Sequence, residues 1–332
     1  MDGAFILTII IILFALLFDV INGFHDTANA IATAISTKAI KLRHAVPMAA
    51  LMNFLGALTF TGVAKTITKD IVDPFALPNG SEVILAALLA AIAWNLITWY
   101  FGIPSSSSHA IIGAIAGAAI AAAGVTSINY GGFVSILEGL ILSPFIAFVL
   151  GYIIYSILKG VFKNNNLAKT NKRFRIYQIF TAAIQSYSHG TNDAQKTMGI
   201  ITMALISSGQ LASNDIPFWV QFACAAAMGI GTSIGGWRII KTVGGKIMKI
   251  RPDNGVAADV TSGLIILGAT YMHLPVSTTH VISSSIMGVG ASHRLKGVKW
   301  NTAKQIVITW VITLPISATL SGLIYLLLDL VI

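Results

Sequence analysis

The sequence predicts an all-α polytopic membrane protein. It has about ten transmembrane segments in two inverted five-span repeats, with discontinuous helices at the midplane. Three observations predict this. Apolar segments of about 20 residues recur along the chain, each able to cross a hydrocarbon core of about 30 Å. Of the 332 residues 55% are hydrophobic and only 10% charged, where soluble domains average about 25% charged. The basic residues gather in alternate loops, and polar motifs recur at a fixed offset.

The segments run approximately over 4–22, 45–64, 82–101, 105–125, 132–158, 176–207, 216–236, 256–274, 276–291 and 304–332. The first could be a secretory signal peptide. It lacks a positive n-region and a small-residue cleavage site, so it reads as the first span. The sixth is too long for one simple span and is interrupted by polar residues at 186–196. Residues 1–160 form the first repeat (spans 1–5), 161–175 a basic cytoplasmic linker, and 176–332 the second repeat (spans 6–10).

The loops after segments one, five, seven and nine hold 18 of the 21 Lys and Arg, Lys169 among them. All four fall on one side when spans are counted. Of the other three, Lys65 and Lys69 fall opposite and Lys196 sits within a polar motif. The positive-inside rule then places these loops in the cytoplasm and both termini outside. The net charge of +9 is accounted for by these loops, so nucleic acid is not an expected partner. The lone Cys224 excludes an internal disulfide.

At an offset of 171, Pro104 matches Pro275, Ser106 matches Ser277, His109 matches His280 and Gly117 matches Gly288. Pro144 with Pro315 and Gly151 with Gly322 keep that offset. At 167, Gly23 matches Gly190 and Asp26 matches Asp193. Five spans per half is an odd number, so the halves have opposite orientation. Inverted repeats with Gly/Pro-interrupted helices point to a secondary transporter with a midplane site.

Two motifs open segments four and nine: Ser105, Ser106, Ser107 and Ser108 after Pro104, and Ser277, Thr278 and Thr279 after Pro275. A helix N-terminus offers free N–H groups and a positive dipole end. With hydroxyl donors added, these stretches suit a tetrahedral oxyanion. Such residues also serve as N-caps or packing residues. Asp26 and Asp193 read as cation ligands, because membrane carboxylates line ion or proton pathways. Asn29, Asn192 and backbone freed at a helix break would add neutral oxygens. The ion is Na⁺ or H⁺. Local alternatives remain: Asp193 pairing with Lys196, and Asp26 capping a helix over Thr27–Thr37. His25, His109, His189 and His280 border the motifs. No cysteine pair or HExxH supports zinc. His25-Asp26 is a weak hydrolase signal, and Gly229-x-Gly231 reads as helix packing.

A divalent anion moving inward against 100 mV costs about 4.6 kcal/mol, at about 2.3 per charge. Two co-transported cations cancel that, which favours coupling over a passive anion channel.

The stretches GFHDTANAIAT (23–33), SHGTNDAQKTMG (188–199), PSSSSH (104–109) and PVSTTH (275–280) together resemble the signatures of the inorganic phosphate transporter (PiT) family, in its short bacterial form. The resemblance covers essentially the whole chain. It implies phosphate uptake coupled to Na⁺ or H⁺, an inverted-repeat fold, extracellular termini and a homodimer. It makes Asp26 and Asp193 essential and brings the Ser/Thr stretches to substrate. Many sodium-coupled relatives have Asn-Asp where His25-Asp26 stands, and several have Glu near Asn53 and Asp259. A sulfate symporter on the same fold is the alternative; Gln195, Asn29 or an Asp carboxylate, reading the proton that phosphate keeps and sulfate lacks, would select phosphate against it.

The expected protein is therefore a multi-pass plasma-membrane symporter and not an enzyme. It needs no cofactor beyond its co-transported Na⁺ or H⁺. Its expected partners are inorganic phosphate, membrane lipid, a second copy of the chain and a cytoplasmic accessory protein. The expected phosphate site is Ser105–Ser108, Ser277–Thr279 and Gln195. The expected cation site is Asp26, Asp193, Asn29 and Asn192, supported by His25, Lys196, His109, His280, Asn53 and Asp259.

Overall fold

The computed structural model describes residues 3–73, 75, 77, 79–164 and 167–330, and the side chains of all of these except 3, 4 and 167–169. Residues 165 and 166 of the linker, 331 and 332 of the last segment, and the side chain of Lys169 lie outside it. The described residues are helical, with no strand beyond two isolated antiparallel bridges, Val72–Ile128 and Met248–Val298.

The helices run in the order α1 (Gly3–Ser36), α2 (Leu42–Ala57), α3 (Gly62–Asp70), α4 (Gly80–Phe101), α5 (Ser107–Ala123) and α6 (Tyr130–Phe162). They continue as α7 (Leu167–Ser207), α8 (Phe218–Ile234), α9 (Trp237–Lys241), α10 (Pro252–Tyr271), α11 (Thr278–His293) and α12 (Trp300–Leu328). The second six resemble the first six in kind. α2 and α3 meet at a bend of 67°, and α8 and the segment 237–246 at 63°. α5 and α11 have 17 and 16 residues, and each is followed by a three-residue 3₁₀ turn.

Among the described residues four helices are long and apolar enough to cross a membrane: Phe5–Ser36, Gly80–Phe101, Tyr130–Phe162 and Trp300–Leu328. The two bent pairs make six. α5 is apolar but short, and α7, α10 and α11 carry buried polar side chains.

Two expectations about helix breaks fare differently. α1 and α7 run unbroken through GFHDTANA and through 186–196. The expected interruption at 186–196 is absent, and with it the freed carbonyls expected beside Asp26 and Asp193. Neither Gly23 nor Gly190 lies beside a proline, and one glycine costs a helix only about 1 kcal/mol. For the same reason Asp26 does not cap a helix. The breaks fall instead at the prolines. α4 ends on Gly102 (φ 66°) and α10 at His273 (φ 61°), positions 171 apart. Each is followed by a six-to-one bond, Ile103 N to Thr98 O at 2.9 Å and Leu274 N to Ala269 O at 2.8 Å, as in a Schellman end. Pro104 and Pro275 then disfavour a helical residue before them. The chain restarts with Ser106 and Ser277 as N-caps, each accepting from the N–H three residues on, at 3.1 and 3.2 Å.

The two sets of helices are packed through one another. α5 lies most extensively on α12, and α11 on α6. The outer faces are apolar: Phe145 and Val311 are 67% and 69% exposed, while Ser143 and Thr313 on the same helices face inward and are buried. α1 gives Ile11, Ala15, Phe18 and Ile21 to one apolar cluster and Ala28, Ala30, Ile31 and Ala32 to another. The polar motif lies where the two clusters meet.

Candidate substrate and cation site

The motif of α1 is longer than its quoted stretch. Asp19, Asn22, Asp26, Asn29 and Thr33 are spaced by three or four residues, so a helix lays them along one face. All five are buried. Asp19 and Asn22 were not singled out from the sequence, although their spacing to Asp26 is a legible signal. No hydrogen-bond partner meets the side chain of either among the described residues.

Asp26 is held from three sides. His25 Nδ1 lies 2.6 Å from its Oδ1, Ser107 Oγ donates to its Oδ2 at 2.6 Å, and Thr279 Oγ1 donates to Oδ1 at 3.0 Å. Asn29 Nδ2 donates to Thr279 at 2.8 Å, which leaves Asn29 Oδ1 buried and without a partner. His25 Nε2 lies 3.2 Å from Thr98 Oγ1, and Thr98 lies 2.7 Å from Ser105 Oγ. Thr98 is a third residue absent from the sequence reading. α5 and α11 thus bring their first turns to one carboxylate on α1, from opposite ends of the chain.

Asp193 is the centre of a second cluster. Lys196 Nζ donates to Oδ1, and Thr278 Oγ1 donates to Oδ2 at 3.0 Å. His189 Nε2 lies 3.1 Å from Oδ2 without hydrogen-bond alignment, and its Nδ1 lies 2.7 Å from Asn53 Oδ1. Asp193 and Lys196 are both fully buried. The local pairing that their spacing allows is therefore real. Breaking such a pair by removing one partner costs about 3–5 kcal/mol. Ser107 and Thr278 hold the same place, the first helical residue, on the two carboxylates.

The remaining expected residues divide. Asn192 Nδ2 donates to Thr270 and to the carbonyl of Leu274 at 3.0 and 3.2 Å, and its Oδ1 accepts from Val276 N at 3.3 Å. It fixes the break before α11 and does not touch Asp193's oxygens. Ser108 donates to the Val276 carbonyl at 2.9 Å, tying the start of α5 to that same break. The rings of His109 and His280 pack at a tilt of 38° with centroids 4.5 Å apart, and His280 stacks on Trp310 at 4.0 Å. Gln195 is drawn away. Its Oε1 accepts from Ala64 N at 3.1 Å and its amide donates to the Thr191 carbonyl. Asn53 lies beside Thr27 and His189. Asp259 stands apart, accepting from Thr33 at 2.7 Å and Thr181 at 3.0 Å.

Gly23 and Gly190 set the depth at which the motifs sit. A side chain at Gly23 would meet the backbone of Met228, Gly231 and Thr232, and one at Gly190 the backbone of Asn53. Only glycine lets α1 reach α8 and α7 reach α2 so closely. Among the described residues no group of three or more His, Cys, Asp or Glu is arranged to hold a metal ion.

Buried carboxylates, hydroxyl-lined helix starts and an apolar exterior fit a multi-pass membrane protein of the transporter class. The comparisons give the family. Residues 22–321 match the model of the phosphate transporter family, and the chain belongs to it. It is 74% identical, over all of both chains, to a protein of Bacillus subtilis named a probable low-affinity inorganic phosphate transporter. It is 44% identical to one so named from Rhizobium meliloti, over 99% of this chain and 98% of the other. A solved structure, "The sodium-dependent phosphate transporter", superposes with a TM-score of 0.86 at 26% identity, covering 98% of this chain and 100% of that one.

Proposed function

We propose that the protein imports inorganic phosphate by symport with a monovalent cation, Na⁺ or H⁺, across the plasma membrane. The observation that carries this is the double role of Ser107 and Thr279. Both sit on helix starts that favour an anion, yet both donate to Asp26. A hydroxyl has one proton to donate. It cannot hold the carboxylate and an incoming phosphate together. A cation bound at Asp26, with Asn29 Oδ1 free to join it, neutralises the carboxylate and releases the two hydroxyls to the anion. Cation binding thus precedes and promotes phosphate binding. Thr278 likewise donates to the carboxylate of Asp193.

In this reading Ser105, Ser107, Thr278 and Thr279 contact phosphate, Asp26 and Asp193 enter the charge balance, and Ser106, Ser277, Ser108 and Asn192 hold the helix starts in place. Gln195 positions α3 against α7. The two sets of six helices are inverted repeats of five spans, each bent pair counting as one span. The basic loops face the cytoplasm and both termini face outside. The match in fold to a sodium-dependent transporter and the names of the relatives support phosphate as cargo.

The test is labelled-phosphate uptake into proteoliposomes, with an inward Na⁺ gradient in one arm and an acid-outside gradient in the other. Uptake driven by one of them, and lost in Asp26→Asn, is the expected result. Uptake indifferent to both would overturn the reading.

A further inference from the structure

The offset that matches Asp26 with Asp193 also matches Asn29 with Lys196 and Asp19 with Ser186. At equivalent places on α1 and α7, one half presents a neutral amide and the other an ammonium. Asn29 leaves its carbonyl oxygen buried and unpartnered. Lys196 delivers its charge directly onto Asp193 Oδ1. α1 carries two buried carboxylates, Asp19 and Asp26, and among the described residues no Lys or Arg forms an ion pair with either. The equivalent stretch of α7 carries one, Asp193, with a cation attached to the chain beside it. A Lys side chain is a compact point charge with three donors, and it occupies the oxygen that a mobile cation would need.

We infer that Lys196 is a tethered counter-cation that closes Asp193 to a mobile co-ion, so that of the two matched carboxylates only Asp26 binds a co-transported cation. The inference rests on the symport reading. It has a consequence for substrate class. With Asp193 closed, one coupled cation fewer travels with each phosphate than two open carboxylates would carry. Charge balance then favours the monovalent, doubly protonated form of phosphate over the divalent form.

The experiment is the number of charges moved per phosphate, read from the reversal potential of phosphate flux in proteoliposomes. It is compared among the wild-type protein, Lys196→Asn, Lys196→Arg and the double variant Asp193→Asn/Lys196→Asn. Lys196→Asn recreates in the second half the residue of the first, and the number of coupled cations should rise by one. Lys196→Arg keeps a tethered cation and should keep the wild-type number. The double variant removes the pair as a unit, leaving no uncompensated charge, and should also keep that number even if its rate falls. The inference is overturned if Lys196→Asn transports with the wild-type number, or if the double variant carries one cation fewer. A double variant that elutes as a folded protein but carries no phosphate would also overturn it, by assigning the pair to the anion. Absence of any cation-driven uptake in the wild-type protein would instead bring down the symport reading on which the inference stands.

Discussion

Asp26 and Asp193 stand 167 residues apart in sequence and on equivalent turns of α1 and α7, but their surroundings differ in kind. Asp26 is met by a histidine and two hydroxyls, all neutral donors or able to be so. Asp193 is met by an ammonium, a hydroxyl and a histidine at its edge. The shared part is the hydroxyl from the first turn of a short helix following Pro-x-Ser. The unshared part is the charge. Similar backbones thus set one carboxylate against a lysine and the other against a histidine and two hydroxyls.

The comparison breaks most visibly at the ion pair. Lys196→Met leaves a fully buried carboxylate without its partner and should destabilise the protein by about 3–5 kcal/mol. The corresponding Asn29→Met removes one amide hydrogen bond, worth about 1 kcal/mol. Thermal unfolding in detergent, followed for both variants, should show the first shift to be several times the second. Equal shifts would mean that the two positions are not differently charged in function.

Asp26→Asn comes next and acts on transport rather than on folding. Removing a charged acceptor of three contacts gives up about 1.5–3 kcal/mol of charge-assisted bonding, so gradient-driven phosphate uptake should fall by about ten- to a hundredfold. The protein should remain folded by size-exclusion chromatography. Gly23→Ala and Gly190→Ala probe the frame that both halves share. Each new methyl meets backbone on a neighbouring helix, an overpacking that costs about 1–3 kcal/mol. The two should lower the unfolding temperature by similar amounts.

Thr279→Val and Thr278→Val sharpen the comparison further. Thr279 serves both Asp26 and Asn29, whereas Thr278 serves Asp193 alone. At about 1 kcal/mol per hydrogen bond, KM for phosphate should rise about five- to tenfold for Thr279→Val and less for Thr278→Val. The smallest effect belongs to an ion pair of the same chemistry placed in water. Lys65 donates to Asp215 at 2.7 Å, with their side chains 45% and 77% exposed. The Lys65 hydrogen bond and charge hold the Asp215 carboxyl below its usual value. A depressed folded-state value means that any contribution is present above the ordinary carboxylate range and is lost as pH falls through the folded value. Lys65→Ala should therefore leave thermal stability unchanged at acid pH and nearly unchanged at neutral pH, since screened surface pairs contribute little.

The sequence went far in this protein because burial in a membrane is expensive for polar groups. Asp26, Asp193, the Ser/Thr runs and the prolines are conspicuous against an apolar background. Their recurrence at two fixed offsets makes the matched positions legible. Helix class, the breaks at Pro104 and Pro275, the N-caps at Ser106 and Ser277, and the pairing of Asp193 with Lys196 are all local, and local chemistry is written in the order of residues. Asp19 and Asn22 were legible too, through their spacing from Asp26.

Three things were decided only by the tertiary structure. The first is which hydroxyl meets which carboxylate. Thr279 reaches Asp26 across 253 residues, a contact set by α11 and α1 meeting in the core. The second is the continuity of α1 and α7. A glycine among polar residues looks like a break, but here its role is to let a neighbouring backbone approach. The third is the fate of Gln195, whose composition suits an anion and whose position on α7 ties it to α3 instead. In each case the sequence by itself determined which chemistry each residue can offer. The packing of helices distant in sequence decided which partner receives it, because a hydrogen bond depends on distance and direction that no residue order records.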